Sequence, residues 1–244
     1  MNRISLLALL SLGACATPGA NPHDMSAAHH QGTAAEHDQL AADHAKDYRP
    51  GAEARRPPCL PTRRAGLDFY LYDVCWSSAL NPTEWHKTQA ETHRKHAVDH
   101  RAASASLRDA EAKACAGLAE GERELSPFEH SEDVAAVSAL TQPSKGGEET
   151  VGARVTFKPV EGLTVEWLQR AVDCHLARNA ALGHAVPEMP SCPLVPNGAQ
   201  ARVTGQPGSI SVEIRASDPA AAREILQRAR QLVSPVPSAK STGK

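Results

Sequence analysis

Histidine recurs at intervals of seven along two stretches of this chain. The first run is His23, His30, His37 and His44; the second is His86, His93 and His100, with His96 set inside it. Imidazole is the commonest transition-metal ligand and the side chain that titrates nearest neutral pH, so the pattern points to metal binding or to proton sensing. Seven residues make nearly two helical turns, and each run therefore follows one helix face, drifting by roughly 20° per heptad. Geometry then separates the two runs. Histidines seven apart stand about 10.5 Å apart along the axis, too far to share an ion whose bonds are about 2 Å long. Neighbours three or four apart can share one. His93, His96 and His100 meet that condition twice and form a compact candidate site on a single helix. His86, one heptad before His93, needs a partner helix. So do His30, His37 and His44, whose neighbours at three and four are Ser26, Ala27, Thr33, Ala34, Leu40 and Ala41, with Asp47 beside His44.

The elements that must position these side chains are marked by local signals. Residues 26–47 are rich in Ala, Glu, Gln and Lys and read as a helix with Ser26 as its N-cap, weakened in the middle by Gly32. Tyr48-Arg49-Pro50-Gly51 ends it, and the proline-rich stretch 50–66 is irregular. Leu67–Trp76 reads as a short strand or a packed loop. Asn81-Pro82-Thr83-Glu84 opens the longest helix: Asn81 caps, Pro82 suits the first turn, and Glu84 complements the positive helix end. Nothing interrupts this helix before Gly117, so about 35 residues and roughly 50 Å are expected. The two helices read as a hairpin. The histidines share their faces with Ala27, Ala34, Leu40 and Ala41 and with Ala90, Ala97, Ala103 and Leu107, small enough for close approach, so facing imidazoles can complete sites. Glu36, Asp43 and Asp99 stand ready to orient rings.

After Pro127 the pattern changes. Val134–Leu140 and Val151–Val160 read as strands joined by a polar loop, Thr141–Thr150. Thr164 caps a helix ending near Leu182 and Gly183. Ala201–Thr204 and Ile210–Ala216 read as a hairpin around Gly205-Gln206-Pro207-Gly208, and Asp218-Pro219 opens an amphipathic helix burying Ile225, Leu226, Ala229 and Leu232. The fold class is therefore α+β. A His-rich helical hairpin precedes a small β-β-α-β-β-α sandwich, expected to be ferredoxin-like with both helices on one sheet face. The domain boundaries follow: 1–14 a signal peptide, 15–25 a tether, 26–120 the hairpin with its Cys/Pro-rich connection, 128–233 the α+β domain, and 234–244 a disordered tail.

The opening residues carry an address. Arg3, the apolar run Ile4–Leu12 and then Leu12-Gly13-Ala14-Cys15 form a signal peptide, too short for a bilayer that needs about 20 apolar residues. Small residues before a cysteine resemble the lipobox of bacterial lipoproteins. The resemblance implies cleavage before Cys15, lipid on its thiol, export, and membrane contact through that lipid. Ala16 in the next position, where aspartate would retain the protein elsewhere, implies the outer membrane, facing the periplasm. The alternative, ordinary cleavage near Ala16 or Ala20, also exports the chain. The segment Cys174-His175-Leu176-Ala177-Arg178-Asn179-Ala180-Ala181-Leu182-Gly183-His184, with the Pro-Glu-Met-Pro-Ser-Cys-Pro run that follows, resembles predicted bacterial lipoproteins; this implies a class and no activity.

Export makes disulfides available to Cys59, Cys75, Cys115, Cys174 and Cys192. Sequence proximity favours Cys59 with Cys75 and Cys174 with Cys192, leaving Cys115 free, paired between chains or ligating. His175, His184, Met189 and Cys192 make a second soft-donor candidate, against which stands the Cys174–Cys192 pairing. No Cys-x-x-Cys-His is present for haem, and no HExxH, GxSxG, phosphate loop or dinucleotide turn supports an enzyme. A net charge of -2 gives no footprint for nucleic acid. With 41% hydrophobic but only 4% aromatic residues, any core is lightly built from alanine. The sequence thus reads as an exported, lipid-tethered protein binding copper or zinc through helical histidines, for buffering or sensing. The alternative is a structural or interaction lipoprotein whose partner is an envelope protein, with the near-repeat around His37 and His44 a solvated, low-complexity face.

Overall fold

The computed structural model describes residues 21–52, 81–124 and 126–233. The signal peptide, Cys15, Cys59, Cys75, the Leu67–Trp76 segment and the 234–244 tail lie outside the described residues. The described part is mixed helix and sheet: α1 (Ala27–Asp47), α2 (Glu84–Ala114), α3 (Glu120–Glu124), β1 (Val134–Ser144), β2 (Gly147–Phe157), α4 (Val165–Ala181), β3 (Gln200–Gln206), β4 (Ser209–Arg215) and α5 (Pro219–Gln231). The chain divides into two compact units, Gln31–Arg101 and a second made of Met1–His30 with Ala102–Lys244.

In the unit Gln31–Arg101 the start of α2 is built as its sequence dictates. The Asn81 side chain accepts the Thr83 amide at 2.8 Å, and its own carbonyl accepts the Glu84 amide at 3.0 Å. Contacts between α1 and α2 run in opposite sequence order. Asp38 pairs with Arg101, His37 meets His93, His44 meets His86, and the Arg49 amide donates to Thr83 Oγ1 at 3.0 Å. Ala34 and Ala41 on α1 and Ala90 and Ala97 on α2 are buried at heptad steps. Each of these positions carries only a methyl group, and imidazoles of the alternate heptad position reach across from one helix to the other. Gly32 does not interrupt α1, because one glycine costs about 1 kcal/mol and the flanking residues are good helix formers.

The second unit holds the sheet. Strand order is β1-β2-β4-β3, and every neighbouring pair is antiparallel. The element order β-β-α-β-β-α matches the sequence expectation. The ferredoxin-like pattern, β-α-β-β-α-β, does not: the central strands β2 and β4 run antiparallel, and two ββα halves stand side by side. Thr141–Thr150 is also not a loop. Both strands extend through it to a tight turn at Lys145-Gly146, with Gly147 at φ 122°; these residues are polar because this end of the ribbon is exposed on both faces. Pro143 is tolerated because β1 is an edge strand.

One sheet face is covered by α4 and α5. Ala153, Val155 and Phe157 of β2, Val212 and Ile214 of β4 and Val203 of β3 pack against Leu168 and Val172 of α4 and Ala222, Ile225, Leu226 and Ala229 of α5. The opposite face carries cross-strand polar pairs, Arg154 with Glu213 and Thr156 with Ser211. Thr164 caps α4 by accepting the Trp167 amide, and Asp218 caps α5 by accepting that of Ala221. Gly152 sits at φ 153°, where the β1–β2 register slips, and a Cβ there would overlap the Ile214 carbonyl. Gly152→Ala is therefore expected to destabilise the protein by roughly 1–3 kcal/mol, seen as a lower thermal midpoint.

The cysteine pairing differs from the sequence expectation. Cys115, just past α2, is bonded to Cys174 of α4, and Cys192 is a buried free thiol. The reason is helical phase. Leu168, Val172, His175 and Asn179 are buried along one side of α4. Cys174 lies about 100° away from His175 and packs with Cys115, Leu118 and Trp167. Cys192 belongs to the sheet–helix core, where burial pushes its thiol pKa upward.

Candidate metal centre

The seam between α1 and α2 gathers imidazoles from both helices within the unit Gln31–Arg101. His37 Nδ1 and His93 Nδ1 are 3.0 Å apart. The His37 ring also lies 5.0 Å from His96 and stacks at 5.7 Å on His100. One heptad along, His44 Nδ1 and His86 Nδ1 are 3.1 Å apart, and the His44 ring stacks on His93 at 5.6 Å. Each step of seven forward along α1 is matched by a step of seven backward along α2, which is why the facing pairs repeat.

Ligand nitrogens of His37, His93 and His96 all lie within 4.8 Å of one another, and each residue is half-buried. Among the described residues this is the group of three or more His, Cys, Asp or Glu with that proximity. A tetrahedral zinc site with bonds of about 2.0–2.1 Å has ligand edges of about 3.3 Å, so the three nitrogens are close enough that the group could hold one ion. The sequence-derived trio of His93, His96 and His100 is thus rearranged. His93 and His96 remain together, and His37 from the facing helix supplies the third nitrogen. Buried His100 stacks on His37 and does not join the group.

The other sequence candidates separate. His86 and His44 pair with each other. His30 falls in the second unit, fully buried, with Nε2 3.4 Å from Asp24 Oδ1. His23 is exposed. The second soft-donor set is not assembled: His184 Nδ1 engages the Val195 carbonyl at 2.7 Å, His175 is buried on α4, and Cys192 lies in the core. Sequence spacing missed the Nδ1–Nδ1 pairing across the seam, which depends on the register between helices. It also missed Trp85, whose ring stands edge-on to His44 at 5.1 Å and to His86 at 4.8 Å.

Electrostatics favour neutral rings. Burial holds the His37 pKa below its usual 6.5, with His96, His93 and His100 adding to the effect and Glu36 opposing it. Burial likewise lowers His93, helped by His44 and His96. Neutral imidazole is the ligating form. Because both shifts are downward, the unfolded chain binds more protons than the folded one once pH falls below about 6.5. Stability from this seam is fully present above that value and is lost as pH drops through the lowered folded values. Thermal melts followed by far-UV circular dichroism are expected to show a lower midpoint at about pH 5 than at about pH 7.5; His37→Gln is expected to shrink the difference.

Comparison with protein-family models, curated proteins and solved structures returns no match for this chain. The fold and site together define an α+β protein with a half-buried histidine cluster between two helices. No described helix is long and apolar enough to cross a membrane.

Proposed function

We propose that this chain is an exported, lipid-tethered protein that binds a transition metal through helical histidines and serves to buffer or sense it. The observation that carries the reading is the cluster of His37 from α1 with His93 and His96 from α2, their nitrogens mutually within 4.8 Å. All three donors are imidazole. That chemistry favours zinc(II) or copper(II) over copper(I), which prefers sulfur. Three protein ligands leave a coordination position for water or an incoming ligand. An exchangeable ion fits buffering or sensing better than a purely structural role. The tether rests on the lipobox-like Leu12-Gly13-Ala14-Cys15.

A second reading is favoured by the 3.0 Å Nδ1–Nδ1 distance itself, which also suits an N–H···N hydrogen bond between neutral rings. In that case the hairpin is a spacer and the α+β domain docks an envelope protein. Calorimetric titration of the full chain with zinc(II), copper(II) and copper(I) separates the two. Saturable binding of the divalent ions that fades below about pH 6 supports the metal reading, and heats no larger than dilution would leave the spacer. For the tether, Cys15→Ser is expected to release the protein from membranes; continued partitioning with lipid would refute it.

A further inference from the structure

We propose that the seam holds a second ion seat, formed by His44, His86 and Asp47, one heptad from the first. This inference rests on the metal-binding reading above and adds to it a stoichiometry and a new ligand. His44 and His86 repeat the His37–His93 pairing of the first seat: Nδ1 atoms 3.1 Å apart, from facing helices, both residues half-buried. That separation is within a few tenths of an ångström of the roughly 3.3 Å ligand edge of a tetrahedral zinc site.

The third donor is a carboxylate. Asp47 Oδ2 lies 3.9 Å from the same His86 nitrogen. Asp47 is the last residue of α1, three beyond His44 and so on the same side of the helix, with an exposed side chain free of packing that would prevent its rotation onto an ion. Lys46 feels the Asp47 charge but hydrogen-bonds to Asp43, and Lys87 is bonded to Glu84, so neither ammonium is bonded to the Asp47 carboxylate. The donor set of two imidazoles and one carboxylate suits zinc(II) or copper(II) and adds a negative charge that the first seat lacks. Trp85 flanks both histidines and restricts where their rings can turn.

The seats are about 10.5 Å apart along the helices, so each can fill without sharing a ligand. Repulsion between two divalent ions at that distance, screened by water and salt, weakens the second by no more than about tenfold. The stacked ring of His93, 5.6 Å from that of His44, stands between them.

Trp85 makes the second seat separately visible, because copper(II) quenches indole emission at short range. The full chain and its His86→Ala, His96→Ala and Trp85→Phe variants are titrated with copper(II), following tryptophan emission and counting bound copper by equilibrium dialysis. Circular dichroism verifies helix content in each variant. The wild type is expected to bind two ions, one accompanied by quenching that Trp85→Phe removes. His86→Ala should keep one ion and lose that quenching, whereas His96→Ala should keep the quenching and lose the other ion. A single wild-type ion, lost in His96→Ala and silent at Trp85, overturns the second seat while leaving the first reading intact. Loss of both ions in either correctly folded variant also overturns it, by showing one composite site. No binding at all overturns both.

Discussion

His37→Ala is expected to cut the affinity for zinc(II) or copper(II) at the first seat by on the order of 100-fold or more, because water must replace one of three imidazole nitrogens. His37 is the sole donor that α1 gives to this group. Its loss leaves His93 and His96 as a two-nitrogen site on one helix, of the kind any i,i+3 pair provides. His29→Ala, an exposed change on the same helix, is the control and should leave affinity unchanged. His100→Ala should weaken binding less than His37→Ala, since His100 packs on the site without belonging to it. Calorimetry gives each constant. Equal affinities in the His37→Ala variant and the wild type would show that the ions bind elsewhere.

The second large effect lies in the disulfide. Cys115 and Cys174 are 59 residues apart, and closing a loop of that size removes enough unfolded-state freedom to stabilise the fold by about 4 kcal/mol in the chain-entropy model. Cys115→Ser is expected to lower the unfolding free energy by an amount of that order in urea denaturation. Peptide mapping without reduction should show Cys115 joined to Cys174, with Cys192 unlinked. A Cys174–Cys192 peptide would contradict the structure. Cys192→Ser should have its own, different effect, because it places a hydroxyl among the apolar residues of the core.

Local structure was the most legible part of the sequence. Asn81-Pro82, Thr164 and Asp218-Pro219 mark helix starts because capping chemistry is confined to a few adjacent residues, and the structure builds each one there. The buried face of α5 followed from the period of Ile225, Leu226 and Ala229. Strand direction did not follow, because nothing within β2 or β4 says which neighbour it will meet or in which sense. The polar residues 141–150 hid a strand ribbon for a related reason: alternation signals a strand only when one face is buried. In the site, the i,i+3 spacing found His93 and His96. It left His37 conditional on a partner helix, and nothing in either helix alone, its buried alanines included, gives the register that decides the matter. Cys174 was misassigned because nearness in sequence says little about which side of a helix a residue occupies.

Those alanines have a consequence for how such a chain can drift. Ala34 and Ala97 are fully buried, so a leucine or valine at either one must displace what packs around it. The nitrogens of His37 and His93 would then shift although no ligand had changed. Tolerance of substitution along the seam is therefore lowest at residues that carry no chemistry of their own. Lineages that keep the histidines but enlarge these methyl groups would keep the pattern and lose the site.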